Sequence, residues 1–286
     1  MMNKITILGF GLFTFVFASC GDSASHESEH GMDTTHVVVK DTTKVTVADT
    51  TKFKFDFALA NIPSPAVSMQ EMGTWNVPYD NAILNDVKNS SKYATEFQKG
   101  INIGVYNIDM CYAMAHEKGE DVLKYMKNVI TLSDALGLKG AVNGMIGKRA
   151  ESNLGNKDSL FKILDEIFVK SDDYLRTNDR VFTAATVFTG GWLENLHITC
   201  QTGMNATDAA VKAKVSNLLW EQRFHLGNII NMLGDYKDKK EGTQLVADLK
   251  PIHEEISAVK QSKDMDEAKF KSICTKITNL RNKLTK

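Results

Sequence analysis

The chain has 286 residues, with 34 lysines and arginines against 35 aspartates and glutamates, a formal net charge of −1. So even a balance gives neither the basic field of a nucleic-acid binder nor a polybasic membrane surface. The length allows one large core or two smaller ones.

The first element is a targeting signal. Lys4 precedes an apolar run from Ile5 to Phe17, and the small residues Ala18 and Ser19 precede Cys20. The run is shorter than the roughly 20 apolar residues of a bilayer-crossing helix, so it predicts a secretory signal over residues 1–19. Phe17-Ala18-Ser19-Cys20 resembles the bacterial lipobox, with phenylalanine where leucine is usual. That resemblance implies acylation of Cys20, and several acyl chains at about 0.8 kcal/mol per buried methylene anchor durably. An ordinary signal peptide with a chance cysteine is the plainer reading.

Residues 20–52 read as an extended polar tether. An octad repeats three times, opening at Asp33-Thr34-Thr35, Asp41-Thr42-Thr43 and Asp49-Thr50-Thr51. Its alternating threonine and valine favour extended backbone, and units this short bury no core. With Asp22-Ser23-Ala24, the triplets resemble acceptor sites for O-linked glycans, which places candidate sugars on Ser23, Thr34, Thr42 and Thr50. A plain linker is the alternative. His26, His30 and His36 lie in the same stretch as weak metal candidates without preset geometry. Phe53, Phe55 and Phe57 alternate, which predicts a strand face laid against the domain where the tether ends.

Residues 53–286 are expected to form an all-α domain, an antiparallel helical bundle of about eight helices. Ser64-Pro65 opens a short helix ending near Gly73. A longer one follows Ser90, its stripe running through Tyr93, Phe97, Ile101, Val105, Ile108, Tyr112 and Ala115. Glu120 to Leu136 is next, closed by Gly137. Glycine-interrupted helix reaches about Asn153, and Lys157 to about Thr177 follows. Arg180 to Gln201 is expected to stop at Gly203. Thr207-Asp208 begins a helix to about Leu233; Leu245, Leu249, Ile252, Ile256 and Val259 keep one seam across Pro251, predicting a kinked helix. Phe270, Ile273, Ile277, Leu280 and Leu284 mark the last one.

Cys111, Cys200 and Cys274 lie in these helical stretches with no CxxC spacing. Buried small hydrophobes are the expected role, with a disulfide or reactive thiol as the alternative.

The chain's nearest approach to a chemical motif is Glu194-x-x-His197. Di-metal carboxylate bundles use two such pairs and two further glutamates. Glu221 with His225, and Asp109 with His116 and Glu117, are the partners available, although their spacing and residue types depart from that pattern. On a helical wheel Trp192, Leu193, Leu196 and Cys200 centre the core stripe, leaving Glu194 and His197 on its flank. Two readings follow. Either Glu194, His197, Glu221 and His225 hold a transition metal as cofactor, or they form a structural polar cluster. Gly190-Gly191 costs about 1 kcal/mol per glycine in a helix, which asks for a close helix approach or, with Trp192, a ligand cleft. No phosphate-binding glycine loop or nucleophile elbow is present.

Ile62-Pro63-Ser64-Pro65, Asn102 to Asp109 with its Gly104-Val105-Tyr106 core, Leu132 to Gly137, Gly190 to Glu194 and Glu221-Gln222 together resemble an uncharacterised group of all-helical lipoproteins of Bacteroidota-type bacteria. The resemblance spans most of residues 53–235 and implies the fold and a cell-envelope address, with attachment at the outer membrane, periplasmic or surface-exposed. It assigns no activity and no functional residue. The expected protein is a lipid-anchored binding or scaffold module for an envelope protein or small ligand, with no nucleic-acid partner; the alternative is a metal-dependent envelope enzyme or metal carrier.

Overall fold

The computed structural model describes residues 54–57, 60–61, 64–138, 144–153 and 155–286, all within one compact unit. The signal, Cys20, the octad repeats, the glycan candidates Ser23, Thr34, Thr42 and Thr50, and His26, His30 and His36 lie outside them. Nine α-helices of eight residues or more fall among the described residues: α1 Pro65–Met72, α2 Glu96–Ala115, α3 Gly119–Ala135, α4 Gly144–Glu151, α5 Lys157–Thr177, α6 Val181–Asn205, α7 Ala209–Leu233, α8 Lys240–Ser257 and α9 Glu267–Thr285. No strand occurs among them, so the domain is all-α. None of these helices is long and apolar enough to cross a membrane.

Helices α2 and α6 form the centre. From Gly100 to Ala115 every residue of α2 is buried, and so is every residue of α6 from Thr183 to Cys200. The single core stripe expected of each is therefore too narrow. Buried asparagines and threonines take the remaining faces, and Thr186, Thr189 and Thr199 return their hydroxyls to carbonyls of their own helix.

The reason the two helices can meet so closely is glycine. A Cβ on Gly104 would land on the Val187 carbonyl oxygen, and one on Gly190 would land on the Ile101 carbonyl oxygen. Gly190 and Gly191 thus serve backbone approach, and the reading in which they line a ligand cleft is corrected. Trp192, almost fully buried, spends its indole N–H on Gln222 Oε1 at 2.9 Å.

Contacts fix the directions. Gly100 meets Thr186, Gly104 meets Val187 and Ile108 meets Gly191, so α2 and α6 run parallel, joined by the α3–α5 crossover. The later neighbours run antiparallel. On α7, Gln222 faces Trp192 and Val215 faces Gly203; α8 returns along α7, with His253 Nε2 2.9 Å from the Arg223 carbonyl and the Val259 carbonyl accepting from Trp220. The expected antiparallel bundle holds for this half, and the parallel central pair is what sequence alone did not reveal.

Local chemistry explains most boundaries. Thr95 and Gln98 close a reciprocal capping box on α2, at 3.1 Å in each direction, which moves its start past Ser90 and Tyr93. Gly137, with φ +77°, follows α3 in the left-handed region that glycine occupies at least cost. Gly203 does not end α6. It lies inside, where a Cβ would come within 2.6 Å of Phe270 Cζ and Val215 Cγ1. Helix α8 runs through Pro251 without interruption.

Two expectations are overturned outright. Residues 54–57 form a helical turn instead of a strand: Phe55 is buried, Phe57 is exposed, and Lys54 and Asp56 pair with Asp235 at 2.6 Å and Arg176 at 2.7 Å. Cys200 and Cys274, both fully buried, form a disulfide between α6 and α9 with Cα atoms 5.4 Å apart. Closing a loop of this size stabilises by about 4 kcal/mol on the chain-entropy account. Cys111 remains a buried free thiol, its pKa pushed up to about 12 by desolvation.

Candidate functional site

The densest set of ionisable groups lies where α2, α6 and α9 meet the segment 80–93. Glu194 on α6 is 0% exposed and Arg281 on α9 only 6%. Their contact is a two-point fork, Arg281 Nε to Glu194 Oε2 and Nη2 to Oε1, both 2.7 Å. The planar guanidinium matches both carboxylate oxygens at once. Burial alone would raise the Glu194 pKa, but the charge and hydrogen bonds of Arg281 outweigh it and hold the carboxyl ionised.

Asp109 on α2, also fully buried, faces Glu194. Its Oδ2 accepts from the backbone N–H of Asn85 at 3.1 Å, and its Oδ1 has no donor among the described residues. Burial, followed by the negative charge of Glu194, pushes its pKa well above the usual carboxylate range. Two adjacent buried carboxyls sharing one cation cannot both ionise cheaply. Asp109 is therefore the carboxyl of the two that holds its proton more readily.

His197 stands one turn beyond Glu194, and both ring nitrogens are engaged. Nε2 lies 3.0 Å from the Ile83 carbonyl oxygen, which can only accept, so Nε2 carries the hydrogen; Nδ1, 3.1 Å from Thr278 Oγ1, accepts from that hydroxyl. Burial lowers its pKa, opposed by Glu194, which favours the neutral ring. Glu194 and Arg281 are the enclosed ion pair of the cluster.

A layer of amides extends this network to the chain end. Asn85 donates to Tyr93 Oη at 3.0 Å, Tyr93 to the Thr285 carbonyl at 2.9 Å, and Asn102 to the Leu284 carbonyl at 3.0 Å. These bonds fasten the segment 80–93 and the end of α9 to α2.

The four metal candidates are not brought together. Glu194 and His197 are spent on Arg281, Thr278 and Ile83, while Glu221 is exposed on α7, accepting from Asn217 at 2.8 Å. His225 is half-buried on the same helix, its pKa lowered by burial. Among the described residues no group of three or more histidine, cysteine, aspartate or glutamate side chains has an arrangement that could hold a metal ion. Of the other partners considered, Asp109 joins Glu194, His116 caps α2 against Tyr112 and Tyr79, and Glu117 is exposed. Glu194 and His197, expected on the flank of the core stripe, are both buried and make the ion pair and hydrogen bonds that suit such a position.

The domain's open clefts lie elsewhere. A cleft of about 500 Å³ lies between the segment after α1 and the α6–α7 corner, walled by Trp75, Tyr112, Asp80, Gln201, Asn205 and Asp208 among others. Its volume is that of a small-ligand site. None of these residues was singled out as a site from the sequence, because they sit in turns and helix ends with no fixed spacing; Tyr112 counted only as a core residue.

Comparison with protein-family models, curated proteins and solved structures found no match. The fold and the site therefore define a class without further help: an all-α domain with an enclosed polar cluster and, at a helix corner, a turn-lined cleft.

Proposed function

We propose that this chain is a lipid-anchored cell-envelope protein of the Bacteroidota-type group it resembles, held through Cys20 at the outer membrane, whose helical body is a non-catalytic binding or scaffold module. The observation that carries the non-catalytic part is the use of Glu194, Arg281, Asp109 and His197. Each is enclosed and bonded to a neighbouring segment, so none is placed to meet a substrate. A transition-metal enzyme built on Glu194, His197, Glu221 and His225 finds no support in these positions.

The address has its own support. The buried Cys200–Cys274 disulfide suits an oxidising compartment, where such bonds form and persist. A neutral, charge-balanced body needs an anchor of another kind to stay at a membrane, and an acylated Cys20 supplies one.

The test is fractionation of the full chain and its Cys20→Ser variant from their native envelope. The wild type should require detergent for release and carry acyl mass on residue 20, while the variant should keep its leader or wash free. Release of the wild type by buffer alone overturns the anchored reading.

A further inference from the structure

We infer that the cleft beside Trp75 binds a small ligand carrying both an ammonium group and hydroxyls, the chemistry of an amino sugar. This rests on the binding-module reading above and deepens it.

The three tryptophans give the first argument. Trp192 donates its indole N–H to Gln222, and Trp220 donates to the Val259 carbonyl at 2.8 Å. Trp75, in the wall of the cleft and 7% exposed, has a buried indole N–H with no acceptor among the described residues. A buried donor left without a partner is costly, and a shift of the Trp75 ring that brings its N–H to an oxygen of a ligand in the adjoining cleft would relieve it.

Charge gives the second. Asp80 and Asp208 both line the cleft, neither makes an ion pair among the described residues, and no lysine or arginine is in the lining. Each spends one oxygen on a helix cap, Asp80 Oδ1 on Ala82 N–H and Asp208 Oδ1 on Ala210 N–H, leaving the second oxygen and the charge. An ammonium answers both carboxylates, and an anion is repelled by them. The Trp75 face already tolerates a cation, since Lys214 Nζ lies 5.5 Å from its ring centroid.

Hydroxyls complete the class. Asn76 and Asn205 offer amides that donate and accept at once, as a hydroxyl does, and Tyr112 with Val211 supplies apolar wall for carbon-bound hydrogens.

The test follows the Trp75 indole resonance by ¹⁵N NMR, assigned with Trp75→Phe, during titration with glucosamine, glucose and glucuronate. These three share a ring and differ in charge. Glucosamine should shift the Trp75 resonance, leave those of Trp192 and Trp220 in place, and bind at least about tenfold more tightly than glucose, with glucuronate weakest. Asp80→Asn and Asp208→Asn keep the capping oxygen and should each weaken glucosamine by about tenfold without lowering Tm. An unmoved Trp75 resonance, equal affinity for glucose, or preference for glucuronate overturns the assignment. Such a failure with membrane anchoring intact would leave the anchored, non-catalytic reading standing, whereas loss of anchoring with glucosamine bound would do the reverse.

Discussion

Helices α6 and α7 have the same length, 25 residues, and each carries a glutamate followed within a turn by a histidine. In sequence they look like two halves of one site. In the fold they are opposites: Glu194 and His197 are sealed between α2, α6 and α9, while Glu221 is exposed and His225 half-buried on a helix with only one buried stripe. The difference is made by neighbours. Helix α6 is covered all round, so Glu194, His197 and its threonines bond within the protein; α7 is covered on one side, so Glu221 stays at the surface. A Glu-x-x-His spacing is thus a statement about helix geometry, and the residues packed against it decide its chemistry.

The largest expected effect comes from breaking the enclosed pair. Glu194→Ala strands Arg281 and should cost about 3–5 kcal/mol in urea unfolding, because a buried charge loses its partner. Replacing both, Glu194→Leu with Arg281→Met, should recover much of that loss, since the desolvation cost disappears with the charges. Glu221→Ala on α7 should leave the urea midpoint where it was. If Glu194→Ala unfolds no more easily than Glu221→Ala, the two helices are not the opposites described here.

Glycine gives the next contrast. Gly190→Ala on α6 puts a methyl onto the Ile101 carbonyl, a backbone group that cannot turn away, and should cost about 1–3 kcal/mol or more. Gly227→Ala on α7 meets only His253 Nε2 at 3.5 Å, an ordinary contact, and should gain up to about 1 kcal/mol of helix propensity. Thermal unfolding of the two variants checks both signs, and a stable Gly190→Ala protein would show that α2 and α6 can separate.

Helix existence was legible because apolar periodicity and caps act locally: the helix expected from Lys157 to about Thr177 lies there, and Leu233 and Gly73 close the helices expected of them. What stayed hidden depends on residues distant in sequence. The burial of Glu194 needs Arg281, 87 positions on, and the Cys200–Cys274 bond spans 74. Gly203 resembled a stop because glycine usually is one, and only the nearness of Phe270 shows why it sits inside α6. The alternation at Phe53, Phe55 and Phe57 misled for a similar reason: short apolar runs fit strand and helix alike until the surrounding surface chooses. The cleft had no signature, since Trp75 and Asp208 come together only through the fold.

The smallest expected effect, and the one most specific to the enclosed cluster, is in pH. Asp109 has a folded pKa raised above its unfolded value of about 3.9, so the folded state holds a proton there that the unfolded chain releases. Its contribution to stability is complete below that unfolded value and is lost as pH climbs toward the raised folded one. Glu194, held below its ordinary value, acts the other way, and its contribution is lost as pH falls through the acid range. Asp109→Asn keeps the shape and an N–H that can point at Glu194, but has no proton to lose. Its stability should therefore decline less than that of the wild type between pH 5 and 9 in parallel urea titrations, while the acid limb set by Glu194 remains. Parallel curves for the two proteins over that range would mean that Asp109 is ionised in the fold, and the single shared proton between α2 and α6 would have to be given up.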